Sequence, residues 1–331
     1  MTAPASSKPR VSLVLLCYNQ QSMVRHAAES VLAQDCEPLE IVLSDDASTD
    51  GSYPILQRLA REYRGPHRVS ARRNERNVGI GAHYNQLLGA TSGALLITAA
   101  GDDFSVPQRA RRLIEAWDAT GGRADLVSSH VIDLDHDGVL HEVMRVDDLA
   151  PYRDVPHWLA ERPYIIGAGH AFTRRMMERF GPLGPEVFYE DQIMVFRAIA
   201  GGGAVTVDEA LVHYRRGGTS RRPRFDSSQH MAWWTERQRG RELAEMEQLI
   251  QDSTLAGCDA PVRAVMEGPL KKDRYLRRLR RSTTQSERWA AFRAAAPLAT
   301  WWRLRKMLHA AFPHTTVILK RGLSVFHRRQ H

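Results

Sequence analysis

The chain has 331 residues, 43% hydrophobic and 25% charged, proportions ordinary for a globular protein and enough for one large domain with an appendage, or for two. No apolar run reaches the ~18 residues that span a bilayer, and Met1 to Arg10 lacks the apolar core of a secretory signal. Cys17, Cys36 and Cys258 form neither a paired framework nor a metal-ligand spacing, which points to a reducing cytoplasm. The net charge of +8 is unevenly spread. Residues 271–331 hold 16 Lys/Arg against only Asp273 and Glu287, so this segment carries +14 and the rest of the chain −6. Such asymmetry implies an anionic partner for the tail.

Val11 to Leu16 reads as a first buried strand, and residues 21–34 follow with Val24, Ala27, Ala28, Val31 and Leu32 at helical spacing. A strand over 39–43 leads through Asp45-Asp46-Ala47-Ser48-Thr49-Asp50-Gly51 into a helix near 52–63. A short strand around His67 to Ala71, a helix near 81–91 and a strand over 94–99 continue the alternation. Strands and helices alternating at this spacing predict an α/β fold with a mostly parallel sheet flanked by helices. Pro107 opens a further helix, and Asp125 to Leu134 and Val139 to Val143 read as strands joined by the hairpin turn Asp135-His136-Asp137-Gly138. From Phe225 the sequence becomes long, charged and helix-forming. The expected division is therefore a catalytic domain over 1–224 and a helical, basic extension over 225–331.

Ala94 to Thr98 ends in Ala99-Ala100-Gly101-Asp102-Asp103, and the strand at 39–43 ends in Asp45-Asp46. Open α/β sheets hold ligands in the crevice beyond the carboxyl ends of their strands. Paired carboxylates there offer hard oxygen ligands for Mg²⁺ or Mn²⁺, which in turn can hold a diphosphate. Either pair alone also reads as a turn or a helix cap. Where a dinucleotide fold would carry Gly-x-Gly-x-x-Gly, this chain has Cys17-Tyr18-Asn19-Gln20-Gln21, and it has no Gly-x-x-x-x-Gly-Lys-Ser/Thr loop.

Val11 to Asn19, Ser44 to Gly51, Asn77-Val78-Gly79, Gly101-Asp102-Asp103 and Phe188-Tyr189-Glu190-Asp191-Gln192 stand in an order that resembles the family-2 inverting glycosyltransferases of the GT-A fold. The resemblance covers about residues 10–220. It implies that Cys17, Tyr18 and Asn19 border the nucleotide-sugar donor, with Tyr18 packed on the base, and that Asp46 accepts a hydrogen bond from a pyrimidine ring nitrogen. Cys17 itself reads as a small buried residue and not as a nucleophile. Arg73 is a further candidate for the nucleotide. Asp103 is implied as the ligand of Mn²⁺ or Mg²⁺, with Asp102 on the ribose or sugar, although these two roles can be exchanged. The segment from His213 to Ser220 is similar to the one that closes over the donor in that family, which implies that His213 completes the metal's shell and that Arg215 or Arg216 and Ser220 meet the diphosphate.

Inverting transfer also needs a base for the acceptor hydroxyl, and Asp191 is the candidate, placed at the start of the helical run Ile193 to Ile199. Capping of that helix is the alternative role for Glu190 and Asp191. The implied reaction moves a sugar from a UDP- or dTDP-sugar to a saccharide or lipid-linked saccharide in surface-polysaccharide biosynthesis. The implied location is the cytoplasm, peripheral on the inner face of the membrane, with oligomerisation left open. Two other classes remain at this point: a nucleotidyltransferase, and a non-catalytic nucleic-acid-binding protein using the tail, where Trp289, Trp301, Trp302 and Phe312 could stack on bases.

Overall fold

A computed structural model of the chain describes residues 10–215 and 226–311. The chain forms two compact units, 1–259 and 260–331. The first begins with β1 (Val11–Cys17), α1 (Val24–Leu32), β2 (Glu40–Asp45), α2 (Ser52–Glu62), β3 (Arg68–Arg73), α3 (Ile80–Ala90) and β4 (Leu95–Ala100). β1, β2 and β4 are buried along nearly their whole length because both of their faces are covered, and β1 and β4 are almost wholly apolar. β3 is nowhere fully buried, with Arg68, Ser70 and Arg73 exposed and Val69, Ala71 and Arg72 half-buried, as suits an edge strand. The strands pair in parallel in the order β3-β2-β1-β4, which is the alternation read from the sequence. Leu13, Leu15, Ile41, Leu43, Leu95 and Ile97 are fully buried, in one cluster with Val24 and Ala28 of α1.

Beyond β4 the sheet is mixed. Next come β5 (Phe104–Ser105), α4 (Arg109–Ala119), β6 (Leu126–Leu134), β7 (Leu140–Met144), α5 (Val155–Ala160) and β8 (Ala171–Thr173). They are followed by α6 (Arg174–Phe180), α7 (Glu190–Ala200) and β9 (Ala204–Arg215). β8 lies antiparallel between β4 and β6, β9 runs parallel to β6, and β5 closes the edge against β9. β7 pairs with β6 through the turn at Gly138, whose φ of 82° suits a residue without Cβ. β5 and β8, two and three residues long, are too short to show a period in sequence.

At the amino ends of the strands, buried Glu40 accepts hydrogen bonds from Ser12 Oγ (2.6 Å), Ser92 N (2.6 Å) and Arg68 Nη2 (2.5 Å). One carboxylate therefore pins β1, β2, β3 and the approach to β4 at the end away from the acidic pairs.

The division expected at 224 lies outside the described residues. The long helix α8 (Ser228–Leu255), started by the Ser227 hydroxyl accepting from His230 N, belongs to the first unit. The second unit contains most of α9 (Asp259–Arg281), with α10 (Gln285–Ala294) and α11 (Thr300–Ala311). A capping box of Thr284 and Glu287 starts α10. Tyr275, Leu279, Ala291, Leu298 and Met307 form its core, and the Tyr275 hydroxyl donates to Arg303 O at 2.6 Å. Among the described residues no helix is long and apolar enough to cross a membrane.

Candidate active site

The parallel register brings the carboxyl ends of the first strands level, with Cys17 beside Asp45, Asp45 beside Arg73, and Leu16 beside Ala100. The chain bends sharply there. Asn19 and Ala47 take left-handed conformations at φ 51° and 60°, the only non-glycine positive φ values among the described residues. Such strain costs about 1–3 kcal/mol per residue and persists only where the surroundings over-determine it. They do so here. Asn19 N donates to Ser48 Oγ (2.8 Å), Thr49 N donates to Asn19 Oδ1 (2.8 Å), and Ser48 N donates to Asp45 Oδ1 (2.9 Å).

Within this corner the residues divide by role. Asp45 is fully buried and serves the loop. Arg73 also serves it, donating to Ser48 O at 2.5 Å, reaching Asp45 Oδ1 at 3.3 Å and lying over the Tyr53 ring. Cys17 is buried, its thiol is pushed up to about 12 by burial, and its carbonyl accepts from Asp46 N. Tyr18, directly after β1, is 45% exposed.

Asp46 accepts from Asn74 Nδ2 (2.7 Å) and Val78 N (3.0 Å) through Oδ1, and from Gly79 N (3.0 Å) through Oδ2. The Asn77-Val78-Gly79 turn is thus folded around this carboxylate, with Gly79 at φ 81°. Oδ1 is filled, while Oδ2 carries one protein donor against two lone pairs and can accept another.

Asp103 is buried, and its carboxyl is pushed up to about 8, first by burial and then by the adjacent Asp102 charge. Asp102, less buried, is raised in the same direction by burial. Arg215 closes over the pair: its N–H donates to Asp103 Oδ1 (2.8 Å), its Nε to Asp102 O (3.2 Å), and its guanidinium lies over Phe104. His213 pairs with Phe104 across β5 and β9, next to the acids, and burial lowers its pKa. It does not join both carboxylates in a three-ligand cluster; among the described residues no such group of His, Cys, Asp or Glu exists. Arg216 and Ser220 lie outside the described residues.

Arg109, one turn past β5, is buried and was not singled out by sequence. It donates to Thr98 O (2.7 Å), Ala168 O (2.7 Å) and Ser105 Oγ (2.9 Å). Burial lowers its pKa to about 10, opposed by the charges of Asp103 and Tyr84. The Tyr84 hydroxyl is raised by burial and then by the Glu190 charge. Asp103, Arg109, Tyr84 and Glu190 therefore share one electrostatic neighbourhood.

Glu190 and Asp191 open α7. Asp191 Oδ1 accepts from Gln192 N at 2.8 Å, so the pair does complement the helix start. Burial nevertheless raises both acids, Glu190 to about 8 with the Asp191 charge as second cause. Gly167 lies against them. A Cβ on it would stand 3.1 Å from Asp191 Cβ, closer than most side chains tolerate.

The segment before α7 is held by α8. Gln238 Nε2 donates to the Tyr189 hydroxyl (2.8 Å), Arg241 stacks on Phe188, and Gly184 N donates to Gln248 Oε1 (2.7 Å). Glu245, whose carboxyl is raised by burial, accepts from Arg162 Nη1 at 2.7 Å. Below them Arg197 and Asp252, both fully buried, form a two-pronged ion pair at 2.7 and 3.1 Å. A surface helix and a buried brace share the same charged composition, so α8 carried no signal for this role.

Glu190 gives the protein a pH-dependent stability. Its acid is protonated in the folded chain up to about pH 8, whereas an unfolded glutamate ionises near 4.3. Between these values the unfolded state releases a proton the folded state keeps, so stability falls as pH rises. The melting temperature should drop more between pH 5 and 8 in the wild type than in Glu190→Gln. Parallel profiles would show that Glu190 titrates normally.

Comparison with known proteins accords with this geometry. Residues 12–178 match the model of glycosyl transferase family 2. The succinoglycan biosynthesis protein ExoO of Rhizobium meliloti is 30% identical over 241 residues, 68% of this chain and 67% of that one. TarS of S. aureus, solved with UDP-GlcNAc, superposes with a TM-score of 0.53 at 14% identity, covering 91% of this chain and 89% of that one. The mannosyltransferase PcManGT of Pyrobaculum calidifontis, solved with GDP-Man and Mn²⁺, gives 0.51 at 18% identity, over 97% and 81%. The two structures share the fold, which is GT-A. The chain belongs to glycosyl transferase family 2.

Proposed function

We propose that this glycosyltransferase moves a sugar, with inversion, from a UDP- or dTDP-sugar to a hydroxyl of a saccharide or lipid-linked saccharide. Family membership sets aside the nucleotidyltransferase and nucleic-acid alternatives. The observation that carries the reading is that Arg109 and Tyr84 both bond to Thr98 of β4, where Arg109 feels the charge of Asp103 and Tyr84 the charges of Glu190 and Asp191, so the two acidic pairs flank one neighbourhood. One pair suits the donor's diphosphate side, the other the attacking hydroxyl.

Asp46 would take the base through the remaining acceptor position of Oδ2, beside the exposed Tyr18. Burial beside a second carboxylate makes Asp103 a poor bearer of its own charge and a good ligand for a hard dication, with His213 on the paired strand as a second donor. Asp103 and His213 would hold Mn²⁺ or Mg²⁺ there, and such an ion would supply charge neutralisation for the departing nucleoside diphosphate. Arg215, fixed over the pair, can meet a phosphate oxygen. Burial raises both acids and the Asp191 charge raises Glu190 further, so the proton the pair holds is assigned to Glu190 and the accepting role to Asp191. The name of ExoO supports a polysaccharide acceptor. The basic tail, residues 271–331, would hold the enzyme on an anionic membrane, where a lipid-linked acceptor lies.

Release of nucleoside diphosphate from a panel of nucleotide sugars, with and without Mn²⁺, tests the donor. Asp103→Ala should abolish both turnover and the Mn²⁺ response. Wild-type turnover with an unchanged Mn²⁺ titration in that variant would end the metal assignment.

A further inference from the structure

The second unit contains a cavity of about 220 Å³ between α9 and α10. One wall is cationic. Lys271, Arg274 and Arg278 line it, spaced three and four residues apart so that they share one face of α9. The other wall is apolar, made by Ala291 and Ala294 of α10 and by Leu298. The alanines leave the cleft open, since each removes only a methyl's volume from it.

Both size and lining select the occupant. Clefts for drug-sized ligands run to about 300–1,000 Å³, so this one takes a small group and not a nucleotide sugar. Three cations suit phosphate oxygens, although Lys271 pairs with Glu267 and Arg274 has a partner of its own. A bare phosphate would gain nothing from the apolar wall. Trp289 and Trp301 of the same unit are 42% and 71% exposed, as aromatic residues at a bilayer interface are. We propose that this cavity binds the phosphate of an anionic phospholipid headgroup, its ester carbons lying on the alanine–leucine wall.

This proposal rests on the membrane-facing reading of the basic tail, and the test separates the two. Full-length protein is titrated calorimetrically with dihexanoyl phosphatidylglycerol kept monomeric, and separately sedimented with phosphatidylglycerol vesicles. Saturable binding of the monomeric lipid is expected, weakened roughly tenfold or more in Arg278→Glu and in Ala294→Leu. Inorganic phosphate should bind at least about tenfold more weakly than the lipid. Ala294 is exposed and leucine is a good helix former, so Ala294→Leu fills the cavity while keeping the fold and every charge.

Wild-type affinity in Ala294→Leu, or equal affinity for inorganic phosphate, would overturn the cavity. Vesicle binding that Ala294→Leu leaves intact would likewise overturn it, leaving diffuse surface charge as the anchor. Monomeric lipid binding without vesicle sedimentation would support the cavity and sink the membrane reading instead.

Discussion

Asp191→Asn should lose about 10²–10⁴-fold in turnover, the range that general-base catalysis contributes. Its donor KM should change little. The amide keeps the shape of the carboxyl and its place at the start of α7, but it cannot take the acceptor's proton. Stability should not suffer, because the variant removes a charge that burial already disfavours. Initial rates at saturating donor, with a melting curve beside them, check this. Near-normal turnover would reduce Asp191 to a helix cap and pass the base to Glu190.

Asp252→Ala should be the most destabilising single change, by about 3–5 kcal/mol, because it leaves the Arg197 guanidinium buried without its counter-charge. Replacing both partners by apolar residues, Arg197→Met with Asp252→Leu, should restore most of that loss. Urea unfolding of the single and double variants measures both. A single variant within about 1 kcal/mol of wild type would show that the pair is not dry, since exposed pairs contribute about that little.

The parallel half of the fold was legible because β1, β2 and β4 each carry an apolar run with polar residues beyond it, whereas β3 shows only Val69 and Ala71 among arginines. Asp46, Asp102, Asp103 and Asp191 were singled out on a related ground: each carboxylate stands just past a strand or at the start of a helix. Arg109 and Tyr84 were not. Arg109 stands among Arg111 and Arg112, and only the packed structure turns one of the three inward. Gly167 and the short β8 carry no periodicity, and α8 reads as solvated helix until its partners are known. Asp46 was read as a base contact alone, whereas most of its hydrogen-bonding capacity organises the Asn77-Val78-Gly79 turn.

The brace between α7 and α8 bears on how such an enzyme can diversify. The segment matching the family model stops at residue 178, before Glu190, Asp191 and the whole of α8. The residues proposed to hold the nucleotide sit at the ends of the parallel strands, while the segment before Asp191, the proposed base, is fastened by α8, distant in sequence. Exchange of side chains along the Tyr189-facing turns of α8 could therefore redirect acceptor choice while the nucleotide crevice stays as it is.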